Sequence, residues 1–99
     1  MADKRASNKE SLKEVIERYL ESKKMRDRLT SMDIEKQWPA IVGPPIAKHT
    51  TSLQLKKKVL IIRLDSSVIK EELSYGSDKL VKAVNNHFQR EVIQEVLLS

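Results

Sequence analysis

Lys56-Lys57-Lys58 stands between two alternating apolar runs. With Lys36, Lys48 and Arg63 it makes residues 36–64 a stretch of six cations and no carboxylate. Cations gathered in one acid-free block suit one chemistry above others, the neutralisation of phosphates on a polyanion. The plainer reading is a solvated hairpin tip whose charge keeps an exposed edge from pairing with another chain. Lys48, Lys56, Lys57, Lys58 and Arg63 are accordingly the candidate nucleic-acid-binding residues.

Other chemistries lack their parts. There is no cysteine, so neither a disulfide nor a thiolate ligand or nucleophile is available; this usage is compatible with a reducing cytoplasm. His49 and His87 are too few for a metal site without cysteine partners. The acids alternate with Lys and Arg along amphipathic segments, the pattern of solvated helix surface rather than of paired catalytic carboxylates. Gly43 and Gly76, the only glycines, are 33 positions apart and cannot build a phosphate-cradling loop. No catalytic residue, metal or cofactor is expected, and the protein reads as a binding module, not an enzyme. The remaining composition, 99 residues with net charge +5, suits one domain with a highly charged surface. No apolar run approaches the roughly 20 residues of a membrane span. The polar start, Met-Ala-Asp-Lys-Arg, is unlike a signal peptide.

The elements that must carry these residues follow from periodicity. Ser7-Asn8-Lys9-Glu10 fits a capping box, and Leu12, Val15, Ile16, Tyr19 and Leu20 then repeat at helical spacing, predicting a helix over 8–22 after a flexible arm at 1–7. Met25, Leu29 and Met32 form a second stripe, with Ile34, Trp38, Ile41 and Val42 a third, about half a turn out of phase. This predicts helix over 26–42 with an irregularity at 30–32, a bend or new first turn at Pro39, and a stop at Gly43-Pro44. Thr51–Lys56 and Val59–Leu64 alternate as two strands of an antiparallel hairpin. Asp65-Ser66-Ser67 offers caps for a helix through Ile69, Leu73, Leu80, Val84 and Phe88, with Gly76 either a close approach or a break. Val92–Leu98 reads as a closing strand. The expected fold is α+β, a single domain over 8–99 in the order α-α-β-β-α-β, with a three-stranded sheet packed against helices. Trp38, in phase with Ile34 and Ile41, is expected in the core.

The run Trp38-x-x-Ile41-Val42-Gly43-x-x-Ile46-Ala47-x-His49-Thr50 resembles the signature of the DciA-type proteins. The likeness continues through Leu60-x-Ile62-x-Leu64-x-Ser66-Ser67, Glu72-Leu73, Asn85 and Val92-Ile93, covering about residues 8–98. The resemblance implies a KH-like α+β domain, similar in element order to the N-terminal domain of the initiator DnaA. It also implies a bacterial, cytoplasmic role in DNA replication, with the replicative helicase DnaB and single- or double-stranded DNA as partners, helicase loading or operation as the task, and no nucleotide cofactor. The Gly-x-x-Gly clamp of RNA-binding KH domains is absent from this sequence. Longer DciA-type proteins carry a basic extension beyond the domain; here DNA contacts are expected from the domain or its short arm. The signature residues Trp38, Ile41, Val42, Gly43, Ile46, Ala47, His49 and Thr50 read as mainly structural. Two alternatives stand beside this reading: a protein-only adaptor contacting partners through Val59, Ile61 and the first helix, and an RNA-binding KH-like protein.

Overall fold

The computed structural model describes the backbone of residues 2–99 and the side chains of residues 11–99. The arm expected at 1–7 and the capping box at Ser7–Glu10 lie outside the residues whose side chains are described.

One helix, α1, runs from Ala2 to Val42. The expected break between 22 and 26 and the irregularity at 30–32 are absent. Residues 12–37 contain no Gly or Pro and are dominated by Glu, Lys, Arg, Leu and Met, all good helix formers. The conflict between stripes is resolved by leaving one of them in water: Ile34 and Trp38 are buried, whereas Met25, Leu29 and Met32 are about half exposed. Pro39 lies inside α1 without ending it. Only the donor to the Glu35 carbonyl is lost, and Gly43 N–H still bonds the Pro39 carbonyl at 2.9 Å.

Gly43 ends α1 at φ 91°, ψ 157°, a region open almost solely to glycine. The chain then turns directly into a short helix α2, Pro44–Lys48, with prolines in its first turn where no N–H is needed. Strands β1, Thr50–Lys56, and β2, Val59–Leu64, pair antiparallel from Lys56↔Val59 to Ser52↔Arg63, with a bulge at Thr51. Helix α3, Ser67–Ser74, is capped by the Ser66 hydroxyl, which accepts from Ile69 N–H. Helix α4, Ser77–Phe88, follows after Gly76. A Cβ at Gly76 would meet nothing within 4 Å, so this glycine marks a break between helices rather than a close approach. Strand β3, Glu95–Leu98, pairs parallel to β2. The fold is α+β in one small domain, in the order α-α-β-β-α-α-β, with a mixed sheet ordered β1-β2-β3.

The closing strand is shorter than expected because Val92 and Ile93 serve the core from a loop. The Asn85 side chain holds that loop. Its Oδ1 accepts from the backbone N–H of Val92 (2.9 Å) and Ile93 (3.0 Å), and its Nδ2 donates to the Ile93 carbonyl (2.9 Å).

Ile34 and Trp38 of α1 and Leu80 and Val84 of α4 pack with Leu55, Leu60 and Ile62 of the sheet and with Val92 and Ile93. Both helices therefore lie on one face of the sheet. The opposite face, with Gln54, Lys56, Val59, Ile61, Arg63, Glu95 and Leu97, is open. A helix of 41 residues is about 60 Å long, and a seven-residue strand spans only about 20 Å. Much of α1 must overhang the sheet. The principal extents of 63 × 25 × 21 Å and a radius of gyration of 18.2 Å record this, against about 13 Å for a compact chain of this length.

Candidate nucleic-acid interface

The run from Trp38 to Thr50 acts as a corner brace. Trp38 Nε1 donates to Thr50 Oγ1 at 2.9 Å, and Thr50 Oγ1 donates to the Ile46 carbonyl at 2.8 Å. His49 Nδ1 lies 2.8 Å from Asp65 Oδ1, and Asp65 N–H bonds the His49 carbonyl at 2.9 Å. Ile41, Val42 and Ala47 pack against the core. These contacts tie the ends of α1, α2, β1 and β2 together, so the signature residues, Trp38 above all, have visible structural work. His87 Nε2 is 3.2 Å from Gln37 Oε1, and its ring meets Phe88 edge-on. Among the described residues, no cluster of three or more His, Asp or Glu could hold a metal ion, and no helix is long and apolar enough to cross a membrane.

The five candidate cations are all exposed, but they do not form one patch. Lys48 ends α2 two residues before the start of β1, whereas Lys56–Lys58 sit at the far end of that strand, about 20 Å away. Arg63 projects from the open sheet face opposite Ser52. Lys36, on α1, lies with Asp33, Gln37, His87 and Phe88.

The hairpin tip is a two-residue loop. Lys57 (φ 51°) and Lys58 (φ 64°) both adopt left-handed backbone, the sign pattern of a type I′ turn, where Asn-Gly is the usual choice. Each such lysine costs about 1–2 kcal/mol, and the surroundings hold the conformation. The Lys58 carbonyl accepts from Gln94 N–H at 2.7 Å, and Lys58 Nζ meets Glu91 Oε1 at 3.2 Å. Lys58 is thus partly neutralised, while Lys56 and Lys57 point their charge to solvent.

The Glu91 carboxylate is held below the usual glutamate range, first by a hydrogen bond from the Gln94 side chain and then by Lys58. A depressed carboxyl pKa contributes a tie that is present above its unfolded value and lost as pH falls through the folded one. A carbon-detected NMR titration is expected to place the Glu91 midpoint below that of an unstructured glutamate. Gln94→Ala and Lys58→Ala should each raise it; an unchanged midpoint in both would contradict this geometry.

The hairpin tip meets α1 where the charge pattern of the sequence reads as a solvated helix surface. Lys24, Asp27, Arg28, Ser31 and Met32 of α1 line a groove of about 350 Å³ with Gln54, Leu55 and Lys56 of β1. Ser31 Oγ donates to the Leu53 carbonyl at 3.3 Å and pins its floor. Three cations from segments about 30 residues apart thus converge, with Asp27 the one carboxylate among them. Only the folding of the hairpin back along the helix makes Lys24 and Arg28 neighbours of Lys56.

Fold and surface together define a small α+β, mixed-sheet module with an exposed cationic groove. The family described as Dna[CI] antecedent, DciA, matches residues 11–98, and the chain belongs to it. That family is associated with the replicative helicase DnaB and with helicase loading in bacteria. Nothing among curated proteins and nothing among solved structures matches the chain.

Proposed function

We propose that this protein is a non-enzymatic, cytoplasmic module that assists loading or operation of the replicative helicase and contacts DNA phosphates through the groove between α1 and the hairpin. The observation that carries the DNA reading is the convergence of Lys24, Arg28 and Lys56 beside the lysine tip. Two lysines kept in a backbone conformation that favours Asn or Gly support it, because local strain persists where surroundings and function demand the residue. Lys57 and Lys58 extend the cationic rim; Arg63 and Lys48 lie apart and contribute less.

If about four phosphates are neutralised, log affinity should fall with log salt at a slope of about −3 to −4. Fluorescence anisotropy with single- and double-stranded oligonucleotides, repeated from low to moderate salt, reads this slope. Lys24→Glu/Arg28→Glu and Lys56→Glu/Lys57→Glu are each expected to weaken binding by more than tenfold, and Lys48→Glu by less than threefold. Binding indifferent to salt, or unchanged in both double variants, defeats the DNA assignment. Stronger binding of RNA in competition would turn the same groove to a different nucleic acid.

A protein-only adaptor is the second reading. It is favoured by exposed Leu97 beside Val59 and Ile61 on the open sheet face, and by the exposed apolar side chains of α1. Capture of the helicase without retardation of DNA at low salt would select it.

A further inference from the structure

The overhanging part of α1 is amphipathic with nothing covering it. Leu12, Val15, Ile16, Tyr19 and Leu20 are each about half exposed or more, at 49–61%. At about 100° per residue, Leu12, Ile16 and Leu20 lie within about 80° of one another. Ile34 and Trp38, which do pack on the sheet, fall in the same sector. The stripe is thus the continuation of the sheet-facing side of α1 into the space beyond the hairpin tip.

Cations predominate along its sector. By the same angular count, Lys13 and Lys24 border the stripe, Lys23 and Arg26 continue its sector past Leu20 with Asp27 among them, and Glu14, Glu17 and Glu21 turn away from it. There those three acids line one shallow hollow with Arg18. Lys56–Lys58 close the end of the stripe where the hairpin meets Lys24. Its apolar anchors at i, i+4, i+7 and i+8 have the spacing by which one helix lies along another. A second copy of this chain would bring lysine borders against lysine borders, a like-charge juxtaposition that opposes association. The complementary occupant has acidic borders.

We propose that the Leu12–Leu20 face of α1 is a docking surface for an acidic amphipathic helix of a partner protein, held by apolar anchoring along the stripe and by carboxylates against Lys13, Lys23, Lys24 and Arg26. This deepens the adaptor reading of the same module and does not depend on DNA binding.

The probe is a labelled 21-residue peptide with Leu at heptad positions a and d and Glu at e and g, titrated with the full chain and followed by anisotropy. A second peptide carries Lys in place of Glu. The Glu peptide is expected to bind at least tenfold more tightly than the Lys peptide. Ile16→Glu/Tyr19→Glu, at exposed positions that leave the core alone, should lose at least tenfold, with unchanged circular dichroism. Arg63→Glu should bind as the parent does. Equal affinity for the two peptides, or full binding by Ile16→Glu/Tyr19→Glu, overturns the proposal. Concentration-dependent self-association in sedimentation velocity, abolished by Ile16→Glu/Tyr19→Glu, would overturn it in favour of a second copy. Binding to vesicles of phosphatidylglycerol and phosphatidylcholine, abolished by the same variant while neither peptide binds, would overturn it in favour of a lipid surface. A nucleic-acid interface that fails while the Glu peptide binds leaves the proposal standing.

Discussion

Trp38→Ala is expected to cost about 3–5 kcal/mol, the usual range for deleting a buried aromatic. The indole is 2% exposed and packs in the core with Ile34 and the sheet. Its N–H also opens the chain Trp38 to Thr50 to Ile46 carbonyl that locks α1 to α2 and β1. Domains of this size hold only about 5–15 kcal/mol in total, so the loss should lower the thermal midpoint by about 12 °C or more, at about 4–8 °C per kcal/mol. Trp38→Phe separates the two contributions. It keeps most of the apolar volume and removes the donor, while Thr50 retains its bond to Ile46; about 1–2 kcal/mol is expected from the lost hydrogen bond and the smaller ring. Tyr19→Ala, at an exposed position, should stay within about 0.5 kcal/mol. Urea unfolding followed by circular dichroism measures all three. A Trp38→Ala midpoint equal to that of the parent would show that the brace is not structural.

The second large effect belongs to a polar residue. Asn85→Ala removes the acceptor for Val92 and Ile93 N–H and the donor to the Ile93 carbonyl at once. Unmet backbone groups beside a core cost about 1–3 kcal/mol each where water cannot replace the partner, so a loss of about 3 kcal/mol is expected even with partial hydration. The damage should reach the sheet, because Val92 and Ile93 are buried at 4% and 0% exposure and lead directly into β3. Hydrogen exchange is the discriminating measurement: the Glu95 and Ser99 amides, which donate to the Lys58 and Ile62 carbonyls, should lose protection before those of β1. Asn85→Asp keeps the acceptor but sets an anion against the Ile93 carbonyl. It should be less stable than the parent at neutral pH and recover as the carboxyl protonates, because the protonated form can donate. Uniform loss of protection across all three strands would contradict a local role for this side chain.

Several parts of this fold were legible because they depend on neighbours in sequence. The alternation from Thr51 to Leu64 gave the hairpin; Ser66 was recognisable as a cap; Trp38 was placed inside by its phase with Ile34. The same local logic misread α1. Two stripes half a turn apart suggested a break, on the assumption that every apolar stripe must be buried, and the structure instead leaves Met25, Leu29 and Met32 in water. It also misread Val92–Leu98, where β-branched and apolar residues predicted a strand and a loop held by Asn85 buries two of them. Of the candidate cations, Lys56–Lys58 were legible as a tip, but their company was not. Lys24 and Arg28 belong to a basic run of their own, Lys23 to Arg28, but nothing local marks that run as a neighbour of Lys56.

By itself the sequence determined element types, the hairpin, the core tryptophan and the family, because periodicity, capping and signature residues are local properties of the chain. The tertiary structure alone decided which cations share a groove, which face of the sheet stays open and how far α1 overhangs. The physical reason is a mismatch of lengths: a 41-residue helix crosses a sheet whose longest strand has seven residues. Packing satisfies only the stretch of α1 that the sheet can reach and leaves the rest of its apolar face exposed.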